Sequence, residues 1–310
     1  MTAAATPAPR PPAGPVTPRK PFDWRRTALH AFLIVISVVW LFPIAWAAFT
    51  SLRPYTDTAQ NGYVSLPSVL SLDNYIQAWN QAELARYFLN TAVIVVPAVF
   101  LVLLLGSMMA FAVSRYSWKF NLSLLMLFTA LNLLPPQVVI TPLYQIYIRL
   151  PVPQDIIIPG FPSDNGLLYD QYAGMVLIHL AFQLGFVTFV LSNYMKTLPP
   201  ELNEAALVDG ASVWRTYRSV IMPLTRPALA ALATLQVTWI YNDFFWGLML
   251  MFTGSKFPVT SALNNLKGQF FVDNNLIAAG ALLVAMPTLI VFFALQKQFI
   301  SGLTLGSTKG

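Results

Sequence analysis

Long stretches without charged side chains alternate with short polar segments along the chain. A helix rises ~1.5 Å per residue, so ~20 apolar residues are needed to cross the ~30 Å of hydrocarbon in a bilayer. Because lipid offers the backbone no hydrogen-bond partner, each stretch of that length is expected to be helical. The pattern predicts an all-α, polytopic membrane protein with six transmembrane helices. The predicted spans are 27–52, 87–114, 120–148, 171–195, 227–252 and 274–296, and only Asp243 interrupts them with a charge.

Prolines and polar residues predict local features around these spans. Pro135 and Pro136 predict a break or kink in the third span before the chain surfaces near Leu150. The segment Leu72–Phe88 has the periodicity of an amphipathic helix lying near the outer surface. The outer loops are too short for a receptor domain, and they comprise 53–86, 149–170 and 253–273.

The composition supports a membrane protein, because 56% of the residues are hydrophobic and only 10% are charged. The chain has no cysteine, which excludes a disulfide framework and a thiolate metal site. The net charge of +6 comes from scattered Lys and Arg residues, without the dense basic run that is typical of nucleic-acid binding.

The distribution of Lys and Arg predicts the orientation in the membrane, since cytoplasmic segments are enriched in both. Most of the 18 basic residues lie in the N-terminal tail, near Arg115 and Lys119, in 196–226 and at the C-terminus. The outer segments carry only Arg53, Arg86, Arg149, Lys256 and Lys267. The chain is therefore predicted to lie in the plasma membrane with both termini in the cytoplasm.

These signals divide the chain into three parts. Residues 1–26, rich in Pro and Ala, are predicted to form a disordered cytoplasmic tail. We expect the tail to act as a tether, the favoured interpretation, or to contact a partner or anionic lipid through its basic residues. Residues 27–296 form the membrane domain, which includes a cytoplasmic loop at 196–226, and residues 297–310 form a second cytoplasmic tail.

The cytoplasmic loop between the fourth and fifth spans has the sequence of a helical hairpin. Its first helix is expected to begin near Pro200, because proline suits the first turn of a helix and Glu204 follows where a carboxylate favours the helix dipole. Asp209-Gly210 is a turn dipeptide that ends this helix. The second helix carries one apolar stripe, and Pro223 is expected to stop it. The stripe consists of Val213, Trp214, Tyr217, Val220 and Ile221.

This loop resembles the EAA loop of binding-protein-dependent ABC importer permeases. The matching residues are Glu204, Ala205, Ala206, Asp209, Gly210, Ala211, Tyr217, Ile221 and Pro223. The resemblance implies that the alanine pair packs closely in a groove of the ATPase partner and that Glu204 offers a carboxylate to a basic group there. Taken singly, each residue also fits a plain interpretation, with Glu204 on a solvated helix face and Gly210 ending a helix. The match departs mildly at Tyr217, where Phe is common, and at Met222, where Leu is common.

Further motifs are similar to the carbohydrate branch of that family, in particular to the smaller permease component of maltose importers. This resemblance implies a sugar importer whose C-terminal tail reaches toward the nucleotide-binding subunits. The motifs are Ser51-Leu52-Arg53-Pro54, Pro135-Pro136-Gln137, Pro142-Leu143-Tyr144, Asn242-Asp243 and Ser301-Gly302-Leu303-Thr304-Leu305-Gly306.

The chain lacks a phosphate-binding loop of the Gly-x-x-x-x-Gly-Lys-Ser/Thr type. We therefore expect a transport subunit that is not an enzyme, binds no cofactor and relies on other chains for ATP hydrolysis and solute capture. The resemblance implies two ATP-binding subunits, a second and non-identical permease, and an extracytoplasmic solute-binding protein in a prokaryotic cell.

Asp243 is the one carboxylate within a predicted span, and such groups usually face a bundle interior or a cavity. Together with Trp239, Asn242 and Trp246 it forms a candidate translocation path, since aromatic rings stack on sugars and polar groups bind hydroxyls. The favoured alternative is that Asp243 and Asn242 bond to neighbouring helices as structural links. Helical spacing is expected to place Trp246 on the face of Asn242.

Other functions compete with that of a sugar permease. A permease for a polyol, a glycerophosphodiester or glycerol phosphate shares the same loop type. A membrane-embedded enzyme would need a catalytic pair within the spans, whereas Asp243 is isolated in sequence and His30 and His179 have no partner at metal spacing. A passive channel would have no use for a hairpin that docks an ATPase.

Overall fold

The computed structural model describes residues 23–116, 118–152, 166–267 and 272–304. They form helices connected by turns and loops, which confirms the all-α prediction. The helices are α1 (Trp24–Ser51), α2 (Tyr55–Asn61), α3 (Asp73–Gln81), α4 (Leu84–Arg115), α5 (Asn121–Leu133), α6 (Pro136–Tyr147), α7 (Tyr172–Lys196), α8 (Glu201–Val208), α9 (Val213–Arg215), α10 (Met222–Tyr241), α11 (Phe245–Leu250), α12 (Val259–Ala262) and α13 (Asn274–Thr304). A π-helical segment, Thr216–Ile221, joins α9 to α10.

Five of the predicted spans are matched by described helices that are long and apolar enough to cross a bilayer. They are α1, α4, α7, the continuous helix Val213–Tyr241 and α13 up to Gln296. The remaining predicted span is divided between α5 and α6 at Pro135, whose φ of −66° and ψ of 134° are extended. Proline cannot donate a backbone hydrogen bond and forces the preceding residue out of the helical region, so the helix ends there. The predicted break is confirmed, and the count of six spans stays a prediction.

Two boundaries differ from the sequence prediction. Helix α1 begins inside the predicted tail, because Asp23 accepts a hydrogen bond from the backbone N–H of Arg25 at 3.1 Å and caps the first turn. The rest of that tail, residues 1–22, lies outside the described residues. Helix α13 continues to Thr304 in the predicted C-terminal tail, of which 305–310 lie outside the described residues.

The predicted amphipathic helix over Leu72–Phe88 is two helices, α3 and the first turn of α4. Glu83 separates them with a φ of 48°, a left-handed conformation that no helix can continue through. Helix α3 packs against α13 and buries Asn74 and Ala78.

Helices α4 and α7 pack against each other along their length. Gly106 allows a close contact between them, because a Cβ at this position would lie 2.5 Å from Cγ1 of Val187. Two clusters of buried apolar side chains surround the pair. One joins α4 and α7 to α3, α11, α12 and α13, and the other joins them to the π-helical segment and α10.

The predicted outer loops are held by two buried polar networks. Arg53 is only 1% exposed, and its Nη2 lies 2.7 Å from Oδ2 of Asp57. The same guanidinium donates to the backbone oxygens of Gly62, Tyr63 and Ser65.

The second network is built around Asp170, which has a φ of 60°. Its Oδ1 accepts from the backbone N–H groups of Phe252 at 2.7 Å and Thr253 at 2.9 Å, and Lys256 Nζ lies 3.6 Å from its Oδ2. This network links the entrance of α7 to the loop after α11.

Candidate functional site

The predicted hairpin exists between α7 and α10, and its first arm is α8. Glu201 and Glu204 occupy the first turn of α8, as the helix dipole favours. Gly210 ends the arm with a φ of 71°, where its N–H donates to Leu207 at 3.0 Å and the N–H of Ala211 donates to Ala206 at 2.9 Å. The turn thus satisfies carbonyls that would be unpaired at the end of a helix.

The second arm is longer than the sequence predicted. Ser212 caps α9 by accepting a hydrogen bond from the backbone N–H of Arg215 at 3.3 Å. The helix then runs through the π-helical segment into α10, so the expectation that Pro223 stops it is wrong. The N–H of Met222 donates to Tyr217, five residues earlier. Such wider turns accommodate a proline ring that would clash with a carbonyl of a regular helix.

One face of the hairpin is embedded in the membrane helices. Ala206, Tyr217 and Ile221 are at most 7% exposed. The ring of Tyr217 lies 5.4 Å from that of Phe111 on α4. The predicted apolar stripe therefore divides, because Val213 and Trp214 are 57% and 53% exposed, although the ring of Trp214 lies 5.3 Å from that of Tyr217.

The opposite face of the hairpin is exposed. Glu204, Ala205, Asp209 and Gly210 are all exposed, and Pro223 and Ala211 are half-buried. Next to them, Leu207 and Val208 are 74% and 86% exposed. Apolar side chains beside a carboxylate form the surface that a partner subunit could cover.

One buried contact of the hairpin was not predicted from the sequence. The hydroxyl of Tyr217 lies 2.8 Å from Oγ of Ser107, which is fully buried on α4. The two residues are far apart in the sequence and Ser107 belongs to no recognisable motif, so no sequence signal identifies the pair.

Asp243 lies where the predicted fifth span breaks. Helix α10 ends at Tyr241 and α11 begins at Phe245. The Asp243 carboxylate accepts from the backbone N–H groups of Trp246 at 3.3 Å and Gly247 at 3.2 Å. Its backbone oxygen accepts from the Thr260 hydroxyl. The side chain thus satisfies backbone donors at the start of a helix next to the membrane-spanning segment.

The structure does not bring the four candidate path residues onto one face. Asn242 is exposed and donates to the Thr238 carbonyl at 2.8 Å, whereas Trp246 is 5% exposed and packs beside Phe182. The expectation that they share a face is wrong, because the break between the two helices resets the helical phase. Trp239 is exposed on α10.

Asp243 is not isolated, because His179 of α7 lies beside it. His179 Nε2 is 3.8 Å from Asp243 Oδ2, a separation longer than a hydrogen bond. Next along the same helices, Gln236 Nε2 of α10 donates to Gln183 Oε1 of α7 at 3.4 Å. These pairs form a polar seam between the helices. Sequence reasoning missed it because the partners belong to different helices.

The chain matches the family model of the binding-protein-dependent transport system inner membrane component over residues 102–304. This match spans more than half of the chain and includes the hairpin and the break at Asp243.

Curated relatives match over most of their length. The osmoprotective compounds uptake permease protein of Synechocystis sp. is 30% identical, covering 94% of this chain and 95% of the relative. The diacetylchitobiose uptake system permease protein of Streptomyces coelicolor is 28% identical, covering 90% and 87%. The solved structure of a bacterial ABC transporter involved in alginate import superposes with a TM-score of 0.73 at 20% identity, covering 92% of this chain and 99% of that one. This likeness shows that the two chains share a fold.

Proposed function

Because the chain belongs to the family of binding-protein-dependent transport system inner membrane components, we propose that it is a permease subunit of an ATP-driven sugar or oligosaccharide importer. It is a multi-pass membrane protein and a transport subunit rather than an enzyme. A relative named for diacetylchitobiose uptake and a structural neighbour involved in alginate import support the carbohydrate class.

The main support for this proposal is the structure of the hairpin. Its exposed face holds Glu204 and Ala205 beside Leu207 and Val208, while its other face is anchored between α4 and α10 through Tyr217 and Ile221. A rigid element that is anchored on one side and exposed on the other can transmit force from a soluble partner. In this proposal Glu204, Ala205, Asp209, Gly210 and Ala211 shape the docking surface, and Ala206, Tyr217, Ile221 and Pro223 hold it to the membrane helices.

The proposed assembly contains two ATP-binding subunits, a second and non-identical permease, and an extracytoplasmic solute-binding protein in the membrane of a prokaryotic cell. The family description, which names a binding-protein-dependent system, supports the last of these partners. Both termini face the cytoplasm, and six spans cross the membrane if α5 and α6 together form the third. Since most basic residues lie on the predicted inner side, the charge distribution supports this orientation.

For the translocation path, the contacts of Asp243 support a structural role. Its carboxylate holds the first turn of α11, so it fixes the break in the fifth span. The exposed side chains of Trp239 and Asn242 are the better candidates for facing a solute.

The test uses Glu204→Lys in the complex purified through a tag on this chain. The substitution places a cation against the proposed basic groove of the ATPase. The amount of ATPase that co-purifies and the rate of import should therefore fall by roughly 5-fold or more, the lower end of typical coupling factors between two sites. Glu201→Lys is the matched control, since both carboxylates are exposed in the first turn of α8. The measurements are co-purified ATPase and uptake of labelled diacetylchitobiose, raffinose and maltose. Equal recovery and uptake in both variants would contradict the docking role.

A second substrate class has one supporting observation, the 30% identity to a permease named for osmoprotective compounds. Uptake of a labelled polyol osmoprotectant such as sorbitol, by vesicles that contain the same complex, separates the two. Uptake of this probe in place of the three sugars would assign the chain to the osmoprotectant class.

A further inference from the structure

The hydroxyl of Tyr217 is a direct polar contact between the hairpin base and α4. It lies 2.8 Å from Ser107 Oγ within a buried cluster. We propose that Tyr217 and Ser107 form a positioning pair that passes movement of the hairpin to α4 and α7 as a unit. The inference rests on the proposed function, because it assigns the route by which the docked ATPase moves the membrane helices.

The direction of the hydrogen bond follows from the other contacts. Ser107 Oγ donates to the backbone oxygen of Leu104 at 2.8 Å, so its only proton is already used. The Tyr217 hydroxyl is therefore the donor, and the chain of contacts runs from Tyr217 through Ser107 to the α4 backbone. A displacement of Tyr217 therefore acts on the backbone of α4 and not only on a side chain that can change its rotamer.

The contact lies next to a position where α4 and α7 are in close contact. Ser107 follows Gly106, whose position leaves no space for a Cβ beside Val187 of α7. Close-packed elements transmit displacement rather than absorb it, because interiors have few voids. Displacing α4 here therefore displaces α7 as well.

The hairpin is also connected to α10 through its backbone. It passes through the π-helical segment Thr216–Ile221, where Met222 bonds to Tyr217 five residues earlier. Pro223 follows and has no N–H to donate. Turns of this kind often mark functional sites and bends in helices. The backbone route thus passes through a turn of a kind at which helices bend, whereas the side-chain contact joins the hairpin directly to α4.

The test is Tyr217→Phe in the reconstituted complex with its ATPase and binding protein. The substitution removes the donor and keeps the ring against Phe111, and Ser107 stays satisfied through Leu104. The amount of solute imported per ATP hydrolysed should fall about fivefold, the scale of a single hydrogen bond. The probe is whichever of labelled diacetylchitobiose, raffinose or maltose the wild-type vesicles take up.

Tyr194→Phe is the matched control, because its hydroxyl donates to Leu224 at 3.3 Å without joining the hairpin to α4. It should leave import per ATP unchanged. Tyr217→Phe combined with Ser107→Ala should lose no more coupling than Tyr217→Phe alone, since both act on one contact.

Two outcomes would overturn the inference. One is import per ATP equal to wild type in Tyr217→Phe, and the other is a parallel fall of ATP hydrolysis, import and thermal stability, which indicates packing alone. If the proposed function itself is wrong, the result is different, because the wild-type complex would then neither retain an ATPase nor import any probe.

Discussion

At the scale of single residues, Arg53 and Asp57 form a buried ion pair in a segment predicted to lie outside the membrane. The hydrogen bond from Arg53 holds the pKa of the Asp57 carboxyl at about 2, below its usual 3.8, although burial acts in the opposite direction. Asn74 and Asn275 donate to the backbone oxygen of Arg53 at 2.7 and 2.8 Å, so the pair also joins α3 to α13.

A depressed pKa in the folded state means that the Asp57 carboxylate stabilises the fold above its ordinary pKa and that this stabilisation is lost as the pH falls toward 2. The Tm of the purified protein should therefore fall between about pH 4 and pH 2. Asp57→Asn should lower the Tm at neutral pH, because Arg53 is left without a countercharge, and should flatten this pH dependence. The measurement is a series of thermal melts in detergent.

Asp73→Asn is the control for this series, because Asp73 is an exposed carboxylate on α3. It should keep both the neutral Tm and the acid dependence of the wild type. An Asp57→Asn melt that follows the wild type at every pH would contradict the stabilising role of the pair.

Asp243 gives a second test at this scale. Asp243→Asn keeps the side-chain shape but removes one of the two oxygens that accept from Trp246 and Gly247. The complex should lose stability by about 1–3 kcal/mol, the cost of an unpaired buried group, and should keep its solute preference. Asn242→Ala, at an exposed neighbour, should change stability little. Changed preference with normal stability would instead assign Asp243 to the translocation path.

At the scale of elements, the hairpin depends on the turn at Gly210. A Cβ at this position would meet no atom within 4 Å, so a substitution acts only through the backbone φ of 71°. Gly210→Val should cost about 1–2 kcal/mol in the left-handed conformation and reorient α8 relative to the second arm. Import should fall by roughly 5- to 30-fold, the factor that corresponds to this free energy.

Gly254→Val is the control for this change, because Gly254 also has open space around it but does not have a left-handed φ. The measurements are uptake and co-purification of the ATPase, with membrane insertion checked by the yield of the tagged chain. Wild-type uptake in Gly210→Val would show that hairpin geometry does not limit coupling.

At the scale of the whole molecule, large apolar surfaces remain uncovered. In the most apolar stretches of α4, α7 and α13, fewer than half of the residues are buried. On α4 the uncovered side chains include Leu89, Val96 and Phe100. Lipid tails or a second membrane subunit can cover such surfaces without the cost that water would impose.

The orientation of the chain is tested by cysteine labelling, since the chain has no cysteine of its own. Ser212→Cys on the hairpin should react with an impermeant maleimide only from the cytoplasmic side, and Asn264→Cys only from outside, because both positions are exposed. Inside-out and right-side-out vesicles provide the two measurements, with the cysteine-free parent as background. Labelling of either position from the opposite side would refute the predicted topology.

The sequence by itself determined the features that depend on local chemistry. Charge-free stretches determined the helices, because lipid leaves the backbone no other way to satisfy its hydrogen bonds. Pro135 determined the break between α5 and α6, and Gly210 determined the turn of the hairpin, because each restricts φ or frees it whatever the surroundings. The prediction that Pro223 ends the helix is wrong, since the effect of this proline depends on the π-helical turn before it.

Only the tertiary structure decided which residues meet across helices. The bond between Tyr217 and Ser107, the approach of His179 to Asp243 and the network around Arg53 each join distant parts of the sequence. Helical periodicity gives the face on which a side chain lies, but not the element that packs there. The partner of each face is fixed by how volumes and polar groups fit when the helices pack, and that fit involves many residues at once.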